Sequence, residues 1–147
     1  MATEKTLRDD LQAAMKARDM PTVYVLRGVL AAIANQKIEK GAEALAPADV
    51  VAIVQREAKQ REEAESYARG AGRDDLVGQN VAERAILARY LPTQLEDGEL
   101  SNLVRSWLAE GLNSMGPIMA RLKERHAGQY DGKRASELVR TILAGTS

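Results

Sequence analysis

The sequence predicts an all-α fold, and three observations carry the prediction. Alanine is abundant while alternating β-branched residues are scarce, so local propensity favours helix over sheet. Apolar residues recur three and four positions apart in stretch after stretch, which places them on one side of a helix. Proline and glycine divide these stretches into about seven segments of ordinary helix length.

The first segment runs from about Thr3 to Arg18, with Leu7, Leu11, Ala14 and Met15 at helical spacing and Thr3 or Thr6 available as N-cap. Met20-Pro21 forces a boundary, because proline suits a first helical turn and breaks an interior. The second segment continues through Leu26, Val29, Leu30, Ile33 and Lys37 to Lys40 and stops at Gly41. A third opens at Pro47 and reaches about Ala68. Its first half is apolar through Val50, Ile53, Val54 and Ala58, and its second half carries Glu57/Arg61, Lys59/Glu63, Arg61/Glu65 and Glu65/Arg69 four apart, the pattern of a solvated face. Gly70-Ala71-Gly72 breaks it. Asp74 is expected to cap a fourth helix through Val77, Val81, Ile86 and Tyr90, which Pro92 ends.

Beyond Pro92 the texture changes. Residues 93–113 hold four acidic side chains against Arg105, a net −3, around one amphipathic pattern through Leu100, Leu103, Val104, Trp107 and Leu108. Met115-Gly116 opens a sixth helix that Ala127-Gly128 closes, and Asp131-Gly132-Lys133 opens a seventh running to Leu143. Residues 115–147 carry six basic and three acidic side chains, a net +3 in a chain whose formal charge is zero. A nucleic-acid role therefore needs this local patch and cannot rest on bulk attraction. The expected organisation is an N-terminal helical domain of about four helices over residues 1–92 and a three-helix C-terminal domain over 97–147.

Composition narrows the chemistry. With no phenylalanine, Trp107 as the one tryptophan and four tyrosines, the core must be aliphatic. Absence of cysteine removes disulfides, thiolate metal sites and thiol catalysis. No apolar run approaches the roughly 20 residues of a membrane span, and the charged N-terminus lacks a signal-peptide core, so the expectation is a soluble cytoplasmic protein without membrane contact.

No catalytic residue, metal ligand or cofactor is expected. His126 falls in the last turn of the sixth helix, where the dipole favours a cation. No Gly-x-Ser-x-Gly elbow pairs with it, and Ser101, Ser106, Ser114 and Ser136 sit at helix-start or surface-like positions. With one histidine and no cysteine, a metal would have only carboxylates, and Glu62, Glu63 and Glu65 read as a solvated face. The run Gly128 to Arg134 looks like a phosphate loop but is one residue short, has Arg134 where Ser or Thr should bind magnesium, and follows a helix instead of a strand. It reads as a C-cap at Gly128, a tight turn and Asp131 capping the next helix. Trp107 is expected in the core, and Tyr90 between the two domains.

One set of motifs carries a resemblance. Tyr90-Leu91-Pro92-Thr93-Gln94-Leu95 with Glu99-Leu100, then Met115-Gly116-x-x-Met119, then Asp131-Gly132-Lys133 and Leu138-Val139, resembles the YqeY family. Upstream, Met15 to Asp19, Leu30 to Ile33 and Gln55 to Arg61 fit as well, so the likeness covers nearly the whole chain. Pro117 and Gln129-Tyr130 depart from it, standing where the family pattern usually has Lys and Arg-Ala. The family shares its C-terminal part with the tail of the B subunit of the glutamine-dependent aspartyl/glutamyl-tRNA amidotransferase, and similar modules are appended to some glutaminyl-tRNA synthetases. The resemblance implies a non-catalytic, tRNA-binding helical module, with tRNA and an amidotransferase or synthetase as partners and Arg121, Lys123, Arg125, Lys133 and Arg134 as phosphate contacts. A second reading is a protein-interaction module that docks on an enzyme without touching RNA. A third is a carbon–nitrogen ligase using glutamine as amide donor in its own right.

Overall fold

Local signals close the first two helices. In the structure, a computed structural model that describes residues 2–145, Thr3 and Thr6 cap α1 (Glu4–Ala17) reciprocally: the Thr3 amide donates to Thr6 Oγ1 at 2.9 Å and the Thr6 amide to Thr3 Oγ1 at 3.2 Å. The outer limits of the expected domains, residues 1 and 147, lie outside the described residues. Arg18 ends α1 in the left-handed conformation, at φ 58°, and Asp19 starts α2 (Met20–Lys40) by accepting from the Thr22 hydroxyl at 2.6 Å. Gly41, at φ 61°, stops α2 as its position after the last apolar repeat predicts. Pro47 heads α3 (Pro47–Gly70), and α4 spans Asp74–Ala88.

Two boundaries differ from the sequence expectation. Arg73, not Asp74, is the N-cap of α4, and Asp74 and Asp75 occupy its first turn, where their charge meets the positive end of the helix dipole. The helix also stops at Ala88 instead of reaching Tyr90. Residues 89–91 tighten into bonds to the third preceding carbonyl, because Pro92 holds Leu91 out of the helical region.

Seven helices and no strand make up the described residues, so the fold is all-α. The chain divides into two compact units, Met1–Leu91 and Pro92–Ser147. In the first, Leu7 of α1, Val25, Leu26, Val29 and Ile33 of α2, Val50, Ile53 and Val54 of α3, and Ile86 and Leu87 of α4 form one buried cluster. Tyr90 packs on this cluster, and its hydroxyl donates to Asp10 of α1 at 2.6 Å. Burial and the Asp10 carboxylate raise its pKa well above the ordinary tyrosine value.

Further along α3 the packing becomes polar. Arg61 pairs with Glu57 on its own helix and faces Glu83 of α4 at 3.5 Å; Glu65 pairs with Arg69 at 3.2 Å and with Arg84 of α4 at 3.3 Å. Arg61 and Glu65 are only 18% and 14% exposed, so this part of the expected solvated face is an interhelical contact. Tyr67 nearby is 82% exposed.

The second unit holds α5 (Asp97–Ala109), α6 (Met115–Arg125) and α7 (Gly132–Gly145). α7 packs against both others, and Ala135, Val139 and Ile142 meet Leu100, Val104 and Trp107 of α5 and Ile118 and Leu122 of α6. Trp107 lies in this core, as its place on the apolar face of α5 predicts. Among the described residues no helix is long and apolar enough to cross a membrane.

A half-buried ion pair ties the start of α1 to the end of α2: Lys37 Nζ donates to both Glu4 oxygens at 2.8 and 2.9 Å, and Arg8 reaches Oε1 at 3.0 Å. Lys37 first, then Arg8, hold the Glu4 carboxyl below its ordinary value of 4.5. A lowered folded-state pKa contributes stability that is present above 4.5 and lost as pH falls through the folded value. Glu4→Gln should therefore lower the urea midpoint at pH 7 by an amount worth under about 1 kcal/mol, and the gap from wild type should close below about pH 4. An equal gap at pH 3 and pH 7 would count against the pair.

Candidate nucleic-acid interface

The linker ahead of α5 is stitched to the turn between α6 and α7. Gln94 Nε2 donates to the Gly128 carbonyl at 2.7 Å and to the Pro92 carbonyl at 3.0 Å. The Leu95 amide donates to the Gln129 carbonyl at 2.8 Å, and Gln129 Nε2 returns a bond to the Thr93 carbonyl at 2.9 Å. Gly128 takes φ 77°, so its carbonyl is presented by a conformation that favours glycine. The turn then delivers Asp131, whose Oδ2 accepts from the Arg134 amide at 3.3 Å and opens α7. Gly128 to Arg134 is thus helix end, tight turn and helix cap, with no strand before it.

His126 sits one residue past α6, as its C-cap, and its amide donates to the Leu122 carbonyl at 2.8 Å. Its Nδ1 donates to Gln129 Oε1 at 3.0 Å, since an amide oxygen can only accept. The ring lies 6.4 Å from that of Trp107, centroid to centroid. These contacts make His126 a prop for the turn. Ser114 is the residue before α6, and Ser106 is exposed on α5. No group of three or more His, Cys, Asp or Glu side chains that could hold a metal occurs among the described residues. An open depression of about 370 Å³ between α5 and α7 is lined by Arg105, Leu108, Thr141, Ile142 and Gly145, and the Thr141 hydroxyl in it donates to the Glu137 carbonyl at 3.0 Å.

The five basic side chains expected to meet phosphate fall into two groups. Arg121 donates to Glu110 Oε2 at 2.8 Å and lies over the Trp107 ring, its guanidinium carbon 5.5 Å from the centroid. Arg134 grips Asp97 with two donors, Nε to Oδ1 at 2.8 Å and Nη2 to Oδ2. That pair holds the Asp97 carboxyl below its usual range and raises the Arg134 guanidinium. Lys123, Arg125 and Lys133 are exposed and form no side-chain hydrogen bond or ion pair among the described residues.

These groups do not share one face. At about 100° per residue, Arg125 lies about 40° round α6 from Arg121, and Lys123 about 200°. The apolar stripe of Ile118 and Leu122 separates them. On α7, Lys133 and Arg140 are seven residues apart and share the outer side with Glu137, while Arg134 turns toward α5 and Asp97. Arg140 was not among the five expected contacts, although its seven-residue spacing from Lys133 marks it. Tyr130 is partly buried against the core of the unit, and that burial raises its pKa.

The described residues thus define a class: an all-α protein of two units, the second carrying exposed, unpaired cations on α6 and α7 around a turn pinned by glutamine side chains. The chain belongs to the Yqey-like protein family, whose model matches residues 4–143. It is also similar to altered inheritance of mitochondria protein 41, mitochondrial, from Pyrenophora tritici-repentis, at 28% identity over 145 residues that span 90% of this chain and 78% of that protein.

The Gln94 stitch has a measurable consequence. Gln94→Ala removes donors to two carbonyls at an exposed site and should lower the unfolding free energy by about 1 kcal/mol, read from the urea midpoint of the full chain. The amide exchange of Leu95 should accelerate with it. Unchanged exchange at Leu95 would show that the linker is held by other means.

Proposed function

We propose that this protein is a non-catalytic tRNA-binding module whose contacts lie in the second unit. The observation that carries the reading is the set of exposed cations on α6 and α7 left without carboxylate partners among the described residues, Lys123, Arg125, Lys133 and Arg140, in a chain of zero formal charge. In the first unit some cations pair locally, as in the Arg61, Glu83, Glu65 and Arg84 contacts of α3 and α4, while Lys16, Arg18, Arg27, Arg56 and Arg89 are exposed without a side-chain partner among the described residues. The second unit differs in that its cations gather on α6 and α7, within a segment of net +3. Unpaired surface cations release counterions when they meet phosphate, which is the main source of sequence-independent affinity. Membership of the Yqey-like family supports the reading through the family's likeness to the amidotransferase tail, and the partner enzyme we assign is a tRNA amidotransferase or glutaminyl-tRNA synthetase. The setting we assign is the cytoplasm; the relative's mitochondrial name describes that relative.

Of the five residues expected from sequence, Lys123, Arg125 and Lys133 are the direct contacts in this proposal, joined by Arg140. Arg121 serves to hold α6 on Trp107. The triple variant Lys123→Gln, Arg125→Gln, Lys133→Gln should weaken tRNA binding at least tenfold at 50 mM salt and reduce the slope of log K against log salt by about 2 to 3. Filter binding measures both. Affinity unchanged in the triple variant, or no association of wild type at low salt, defeats the proposal.

One observation favours the docking reading. The outer side of α2 exposes Tyr24, Met20 and Ile38, at 63%, 43% and 79%, and between them Gly28, Ala31 and Ala34 are also exposed. If a protein partner covers this side, Tyr24→Glu with Ile38→Glu should abolish capture of an amidotransferase or synthetase from lysate after ribonuclease treatment. Capture that depends on RNA, or that survives both substitutions, rules the docking reading out.

A further inference from the structure

Two arginines of the second unit already hold carboxylates, and the two pairs differ in kind. Arg121 is only 25% exposed and is braced over Trp107, so its pair with Glu110 is part of the packing. Arg134 and Asp97 are 64% and 50% exposed, stand at the starts of α7 and α5, and meet in a two-pronged arrangement. A carboxylate received by both prongs of a guanidinium occupies the place where two oxygens of a phosphate would sit, because the two anions share that fork geometry. Because both partners are exposed, water, salt ions and an external anion can compete for the guanidinium.

We propose that Asp97 is an internal stand-in for phosphate on Arg134, and that it restricts this part of the surface to extended phosphate polyanions. The inference rests on the tRNA-binding reading and adds the gate to it. A single phosphate approaching Arg134 gains only what the departing Asp97 carboxylate gives up, so an isolated phosphate has no advantage. An extended phosphodiester chain differs, since Lys133, next in sequence to Arg134, is unpaired and the chain can engage both. When Asp97 leaves, it regains a counterion, so in the wild-type protein the Arg134 contact adds almost nothing to the net ion release. Asp97 thus sets the class of ligand and the salt dependence without touching the ligand.

The experiment compares wild type with Asp97→Asn, Glu124→Gln, Arg134→Gln and the double variant Asp97→Asn, Arg134→Gln. Glu124 is exposed on α6, and its substitution matches the change in net charge. Asparagine is tolerated at the first turn of a helix, and the urea midpoint of each variant shows that it folds. Two probes are used, tRNA and linear polyphosphate, with inorganic phosphate as the single-anion arm. Asp97→Asn should tighten both polyanions about threefold to fivefold at low salt and steepen the slope of log K against log salt by about 1. Glu124→Gln should do less in affinity and leave the slope unchanged, and Arg134→Gln should cancel the gain. Inorganic phosphate should bind wild type with no measurable affinity. If tRNA binds but Asp97→Asn matches Glu124→Gln, or keeps its gain in the double variant, the stand-in is overturned and the tRNA reading survives. If tRNA fails to bind any variant while Asp97→Asn still tightens polyphosphate through Arg134, the stand-in holds and the tRNA reading falls.

Discussion

Both cores are aliphatic, and that constraint shapes everything else in the molecule. Branched side chains such as Leu26, Val54 and Leu87 in the first unit, or Val104, Leu122 and Val139 in the second, bury area well but offer little directional preference. Large rings, which key helices together by shape, are almost absent. Polar ties between elements add directional contacts to this packing. Lys37 on Glu4 and Tyr90 on Asp10 do this for α1, and Gln94 and Gln129 do it for the α6 to α7 turn. Trp107 is the exception, and it is used twice, with His126 against it and Arg121 above it.

The same economy accounts for where charge remains available. With as many acidic as basic side chains, each cation that pairs locally is withdrawn from any external ligand. α3 and α4 share the buried cluster through Val50, Ile53, Val54, Ile86 and Leu87, and further along the contact Arg61 and Arg84 are taken up by Glu83 and Glu65. The second unit joins its three helices through a shared apolar cluster, with two ion pairs beside it, Arg121 on Glu110 and Arg134 on Asp97. The outer cations of α6 and α7 stand in a segment, residues 115–147, of net +3, and such a local excess is what a neutral protein needs if it is to hold a polyanion.

How much of this was legible beforehand depends on range. Pro21, Gly41 and Pro47 act on their own neighbours, so helix starts and stops could be read directly, and so could the Asp131 cap of α7. The sequence pattern runs two residues past the end of α4, because Pro92 acts through a tightened last turn before the chain leaves the helix. The second half of α3 was read as solvated since only its four-residue spacings are visible along the chain; Glu83 and Arg84, which turn Arg61 and Glu65 inward, are more than eighteen residues away. Arg134 and Asp97 are separated by 37 positions, so the type of each residue was plain and their pairing was not. Pairing, not residue type, decides which cations are available.

The Tyr-Leu-Pro-x-Gln-Leu block also takes on a physical meaning. Leu95 packs into the second core, and Gln94 and the Leu95 amide hold the carbonyls of residues 128 and 129. Those carbonyls belong to the turn that launches α7 two residues later, with Lys133 and Arg134 in its first turn. A sequence signature dominated by this block therefore reports the anchoring of α7 and not the chemistry on its surface. Where the family pattern usually has Arg at position 129, this chain has a glutamine whose side chain joins the stitch at Thr93 and steadies His126. The departure exchanges one surface charge for two hydrogen bonds at the turn. The turn that precedes Lys133 and Arg134 is thereby held by side-chain bonds from both Gln94 and Gln129.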